Sequence, residues 1–281
     1  MIPFEPIIEV ENDGLETPEI GCWGKEKYKL VGHYCNIFTS GMKSKWSNLV
    51  YIDLFTGAGI AKVKDEEMHL KTSSLIAASI PNKFTKYIVS DENEENIIAL
   101  KARVQKYNKY EFSKFHFINA DCNKCIDDIL RCIPKAKSLL NFCFVDPFKF
   151  NVEFNTIRRI ANIGRVDFLI LLPLQMAGNR NYHNYIDENN KTIDKYIEND
   201  KWREPFLNGT IPKQQFVYFL AEQYDANMQS IGYKVKDLKK ILIKNTKQVP
   251  IYYLAFYSKH DLGNKFFDEI QKTLTPQLNL F

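Results

Sequence analysis

Five short apolar runs, at residues 48–55, 86–90, 115–119, 139–145 and 166–172, punctuate the first part of this chain. Every gap between them holds a segment of helical character: 72–80, 92–106, 125–132 and 156–162. A run that short and that uniformly apolar suits a strand buried on both faces. Strands alternating with helices predict a parallel sheet covered by helices on both sides, an α/β architecture. The pattern is the strongest constraint in the sequence, because few other folds accept it.

The flanks read differently. The first 20 residues are acidic and contain prolines, which predicts an extended arm. Residues 25–42 place Leu30, Tyr34, Ile37 and Phe38 at helical spacing, an amphipathic helix. After Pro173 the alternation stops, and 181–230 reads as polar, aromatic-bearing and helical. Residues 233–243 and 250–258 read as two closing strands, and 263–274 as a final helix before Pro276. The expected division is an arm and helix (1–48), a Rossmann-like core (49–180), a helical insertion (181–230), and the closing strands, last helix and tail of the same domain (231–281).

At 281 residues, with 45% hydrophobic and 26% charged residues, the composition is that of an ordinary globular chain. No apolar run reaches the roughly 18 residues of a membrane span. The start lacks a basic region followed by an apolar stretch, so a cytoplasmic protein is expected. Cys122, Cys125 and Cys132 invite a metal reading, but no second half-site completes a ligand set, and reduced buried thiols are expected instead. The formal charge of +4 is mild. Residues 233–247 nevertheless hold six lysines against one aspartate. That suits a lysine-guarded strand edge as well as a phosphate-binding stripe.

The chemistry concentrates at the ends of the apolar runs. Asp53-Leu-Phe55-Thr-Gly57-Ala-Gly59 ends the first run in a turn whose glycines let backbone approach a ligand closely. A dinucleotide fingerprint would need a third glycine at 62, where Lys62 stands. An acid before a Gly-x-Gly turn instead suits a methionine end and a ribose. Asp91 ends the second run, where a carboxylate can accept from both ribose hydroxyls, and Asp121 comes after the third, where it can accept from an adenine amino group. Each also suits a helix cap. Asp146-Pro147-Phe148 ends the fourth run. There a carboxylate and a carbonyl can hold an amino group while the aromatic ring stacks on a base.

At Tyr51 to Gly59, Asn119-Ala-Asp121, Phe144 to Phe148, Leu171-Leu-Pro with Asn179-Arg180, and Tyr252 to His260 with Gly263 and Phe266-Phe267, the chain resembles class I S-adenosylmethionine (SAM)-dependent methyltransferases. The wording is closest to the three-Cys-motif partner protein family, TcmP. The resemblance implies a seven-stranded methyltransferase sheet, SAM as cofactor, and a radical-SAM-like partner bearing the three cysteines. It implies Asp53, Phe55, Gly57, Gly59, Asp91 and Asp121 at the cofactor, and Asp146, Pro147 and Phe148 at the acceptor. The expected activity is methyl transfer to an exocyclic amine of a nucleic acid base, DNA or RNA. Two alternatives stand beside it: a SAM-binding partner or scaffold without turnover, and a methyltransferase for protein or small molecules. Amino-methyltransferases usually carry two prolines in the acceptor motif, and this chain has one. No Pro-Cys pair is present for cytosine C5 chemistry. The last five residues, Gln277-Leu-Asn-Leu-Phe281, resemble the peptide by which bacterial replication proteins dock on the sliding clamp, with core covering as the alternative.

Overall fold

The computed structural model describes residues 4–235, 240–244 and 250–274. Two two-residue strands, β1 (Ile7–Ile8) and β2 (Glu19–Ile20), lie in the arm, and α1 spans Gly24–Met42. The first apolar run forms β3 (Asn48–Asp53). A hairpin comes next, β4 (Ile60–Val63) and β5 (His69–Lys71), and only then α2 (Ser73–Ser79). The alternation then proceeds as β6 (Lys86–Asp91), α3 (Glu94–Tyr107), β7 (Phe115–Asn119), α4 (Ile126–Cys132), β8 (Leu139–Val145), α5 (Phe154–Ala161) and β9 (Val166–Leu172). Four helices fill the stretch before the closing strands: α6 (Asn179–Tyr185), α7 (Thr192–Tyr196), α8 (Glu204–Leu207) and α9 (Phe216–Ser230). The chain closes with β10 (Lys240–Lys244), β11 (Pro250–Tyr257) and α10 (Asp261–Leu274).

The main sheet has seven strands in the order β10-β11-β9-β8-β3-β6-β7. Five pair in parallel, from β9 through β7, and β11 runs antiparallel to both β9 and β10. An antiparallel last strand slipped between the fifth and sixth is the seven-stranded methyltransferase topology, so the expected fold class holds. Aromatic packing fixes one face: Tyr34 and Phe38 of α1 meet Phe142 of β8 with ring centres 4.6 and 5.9 Å apart. On the other face α4 and α5 share one apolar cluster with α6, α7, α8 and α9, through Tyr196, Trp202, Phe216 and Tyr224. The helices of 179–230 therefore extend the core of the sheet instead of forming a core of their own.

Two expectations need correction. The arm is not simply extended: β1 and β2 join β5 and β4 in a second, four-stranded sheet of order β1-β5-β4-β2. Strands of two residues carry no periodicity to read. The glycine turn after β3 does not feed a helix, because the β4–β5 hairpin intervenes. Among the lysine-rich residues, 240–244 form the edge strand β10. Residues 236–239 and 245–249 lie outside the described residues, as does the tail Gln277–Phe281. No helix among the described residues is long and apolar enough to cross a membrane.

Candidate functional site

In a doubly wound sheet, chains leave the carboxyl ends of neighbouring strands in opposite directions where the strand order reverses, and a crevice opens there. Here the order reverses between β3 and β8. A cleft of about 560 Å³ lies at that point. Phe55, Gly57, Asp91, Asp121, Asp146, Pro147 and Phe148 all line it, residues up to 93 positions apart in sequence. The register explains the convergence. Asp53 of β3 pairs with Val89 of β6 and Phe144 of β8, so the loops after each strand start at one level.

Asp91 holds the glycine turn. Its Oδ2 accepts from the Gly57 amide at 2.8 Å, while Oδ1 accepts from the Asn93 amide and Asn96 Nδ2, each at 3.0 Å. The Gly57 N–H is thus committed to Asp91 rather than aimed at a ligand. Asp121 follows β7 in the turn before α4. It lines the cleft, and its Oδ1 accepts from the Asn123 amide at 2.9 Å in the turn that leads into α4. Cys122 is buried beside it and also lines the cleft, its thiol pushed above its ordinary range by desolvation. Among the described residues no group of three or more His, Cys, Asp or Glu could hold a metal.

Asp53 and Gly59, expected at the cofactor, are not among the residues that line the cleft. Asp53 is fully buried. Its Oδ2 accepts from Tyr51, Ser73 and Ser74 hydroxyls at 2.9, 2.6 and 2.9 Å, and Oδ1 from the Phe55 amide at 3.2 Å. Burial raises its pKa to about 6 against these four stabilising hydrogen bonds. Its role is to pin the turn to α2 from beneath. Gly59 sits at φ +84° against α3, where a Cβ would come within 2.9 Å of Leu100.

The acceptor end contains a residue that no sequence motif marks. Lys27 of α1 is buried, and its ammonium donates to Asp146 Oδ2 at 2.6 Å. Burial opposes the charge on Lys27, but Asp146 outweighs it and holds the ammonium above its ordinary pKa. The ion pair anchors the Asp146 side chain at this end of the cleft. Tyr28 and Tyr252 line the same end, and desolvation pushes the Tyr28 hydroxyl up to about 12. Pro147 is buried, whereas the Phe148 ring is 74% exposed at the mouth. Lys27 falls on the buried stripe with Leu30, Val31, Tyr34 and Phe38. A lysine on the apolar face of a helix was the legible signal. Glu19, Trp23 and Glu92 also line the cleft.

The fold and this cleft define a Rossmann-like protein with the seven-stranded methyltransferase sheet. No family model matches the chain, and no curated protein sequence matches it significantly. Among solved structures it is similar to protein LPL1258 from Legionella pneumophila, a DUF519 protein. The TM-score is 0.51 at 12% identity, over 88% of this chain and 90% of that one. That likeness shows a shared fold. A looser likeness, at TM-score 0.37 and 13% identity over 80% of this chain and 77% of the other, is to M. jannaschii TYW2 in complex with AdoMet.

Proposed function

We propose that this chain is a SAM-dependent methyltransferase acting on an exocyclic amine of a nucleic acid base, in the manner of the three-Cys-motif partner family. The observation that carries this reading is the convergence of Asp91, Asp121, Gly57 and Asp146-Pro147-Phe148 on one cleft at the switch point of the sheet. The cleft's charge supports it. Glu19, Asp91, Glu92, Asp121 and Asp146 face it, against Lys27 among the described lining residues. Such a wall repels a pyrophosphate and attracts a ligand bearing a sulfonium and an ammonium. In this reading Asp91 accepts from ribose hydroxyls, and Asp121 from an adenine amino group.

When bound, SAM supplies an electrophilic methyl group. Asp146, anchored by Lys27, accepts an N–H of the incoming amine and turns the nitrogen lone pair toward that methyl. Phe148 at the mouth offers a face on which the base stacks, worth roughly 1–3 kcal/mol. After transfer the surplus proton leaves the nitrogen through Asp146 to water. Positioning of this kind contributes up to ~7–11 kcal/mol in the best cases. A base in a duplex would first have to leave the stack, at a cost of a few kcal/mol. Sliding-clamp docking by Gln277–Phe281 and a radical-SAM-like partner belong to this reading as further expectations.

A second reading, a SAM-binding partner protein without turnover, is favoured by one observation. Lys27 already occupies one of the two Asp146 carboxylate oxygens. Titration calorimetry and labelled methyl transfer separate the two. The expected results are micromolar SAM affinity, near −8 kcal/mol, and nuclease-sensitive label on cellular nucleic acid. Asp91→Ala should weaken SAM by about 1–3 kcal/mol, since it removes a charged acceptor and frees the Gly57 turn. No heat with the wild-type protein rejects SAM altogether. Binding without transfer selects the silent reading, and label that survives nuclease selects a protein or small-molecule acceptor.

A further inference from the structure

The arm before α1 forms part of the cleft wall, through Pro18, Glu19, Ile20, Gly21 and Trp23. Beside the strand pairing of β1 and β2, one buried side chain ties it to the rest of the molecule: Arg103 of α3, which is 1% exposed. Nε and Nη2 grip the Asp13 carboxylate in a two-pronged pair at 3.0 and 2.9 Å. Nη2 also donates to Thr17 Oγ1 at 2.7 Å, and Nη1 to the Glu16 carbonyl at 2.7 Å. The fifth bond runs elsewhere: Nη1 donates to the Ala58 carbonyl at 2.9 Å. A guanidinium has five N–H donors, and here all five are engaged. Four hold the arm, and one holds the turn between Gly57 and Gly59.

This arrangement is more than a surface ion pair. The forked geometry fixes angle as well as distance, and lysine could not reproduce it. The arm is then zipped onward, since the Lys62 amide donates to Pro18 O and the Lys64 amide to Ile20 O at 3.0 and 2.8 Å. One side chain thereby sets the distance between two walls of the cleft, the arm and the glycine turn.

We propose that residues 13–23 are a cofactor-retaining strap and that Arg103 is the positioning residue that latches it to the Gly57 turn. The proposal rests on the SAM reading above. An unlatched strap lets the cofactor leave faster, while Asp146 and Phe148 belong to the loop after β8 and Asp146 keeps its bond to Lys27 of α1.

Asp13→Ala in the full-length protein tests this, because it cuts the latch from the half-buried arm side and leaves the buried arginine its other partners. Asp13→Asn, which keeps the shape, serves as a milder second variant. SAM dissociation should quicken on the order of tenfold, the loss of one charged hydrogen-bonded pair. Amides of 13–23 should exchange faster with deuterium, while the single-turnover transfer rate at saturating SAM stays at the wild-type value. Asp13→Asn should fall between. Faster arm exchange with unchanged SAM dissociation overturns the strap alone. A transfer rate that falls in parallel with affinity also overturns it, since the latch would then act on the whole site. A wild-type protein that binds no SAM overturns the strap together with the SAM reading, and only that result touches both.

Discussion

The acceptor chemistry turns on the Lys27–Asp146 pair, whose side chains are only 10% and 13% exposed. Two charges so nearly buried stabilise each other mainly by avoiding an unpaired partner. Lys27→Ala leaves the Asp146 carboxylate uncompensated and should cost about 3 kcal/mol of stability. Lys27→Met combined with Asp146→Leu should recover most of that loss, because it removes both charges and fills the space. Chemical denaturation of Lys27→Met, Asp146→Leu and the double reads this directly, and additive losses would dissolve the pair as a unit. Function should separate from stability. Asp146→Asn keeps the shape but weakens the acceptor, so transfer should drop by roughly 100-fold, with SAM affinity nearly intact. If affinity and transfer fall together, Asp146 is structural.

At the scale of elements, the turn after β3 offers a sharper contrast between binding and folding. Gly57 and Gly59 both have positive φ, +61° and +84°. An alanine at either costs about 1–2 kcal/mol of backbone strain. At Gly57 an added Cβ meets nothing within 4 Å but points into a turn that lines the cleft. At Gly59 it presses on Leu100 of α3. Gly57→Ala should therefore lower SAM affinity more than melting temperature, and Gly59→Ala the reverse; calorimetry beside thermal melts decides, and equal effects on both readouts would contradict the assignment. The same turn shows how far the sequence could be read. Strands β7, β8 and β9 were legible to the residue, because each is a short, largely apolar run between helical segments. Asp91, Asp121 and Asp146 were legible because each ends such a run. The hairpin β4–β5 was not, since glycines after a strand signal a turn without specifying the next element. Lys27 was legible as a lysine set on the apolar stripe of α1, but its partner was not, and only packing against Asp146 reveals its use.

Over the whole molecule, two buried carboxylates set a pH dependence of stability with a definite sign. Asp53 lies under the cleft, and Asp167 lies near the opposite end of the sheet, accepting from Tyr34 at 2.8 Å. Desolvation raises both to about 6, against hydrogen bonds that oppose the shift. A carboxyl whose folded pKa exceeds its unfolded value binds its proton more tightly when folded. Stability therefore falls as pH rises from about 4 and levels off above the folded pKa. Between pH 5 and 7 each group should remove roughly 1 kcal/mol. Two histidines act the other way: desolvation lowers His33 and His116, so their contribution grows as pH rises toward 6.5, but their shifts are smaller. Asp13, lowered chiefly by its bond to Arg103, stays ionised over this window and loses its contribution only below its ordinary value of 3.8. The protein should thus be more stable at pH 5 than at pH 7, by about 2 kcal/mol in urea titrations. Asp53→Asn with Asp167→Asn should flatten the profile and leave the slight histidine slope of opposite sign. A wild-type profile that rises from pH 5 to 7 would mean that both carboxylates are ionised in the folded state. The network of Tyr51, Ser73 and Ser74 around Asp53 would then outweigh its burial.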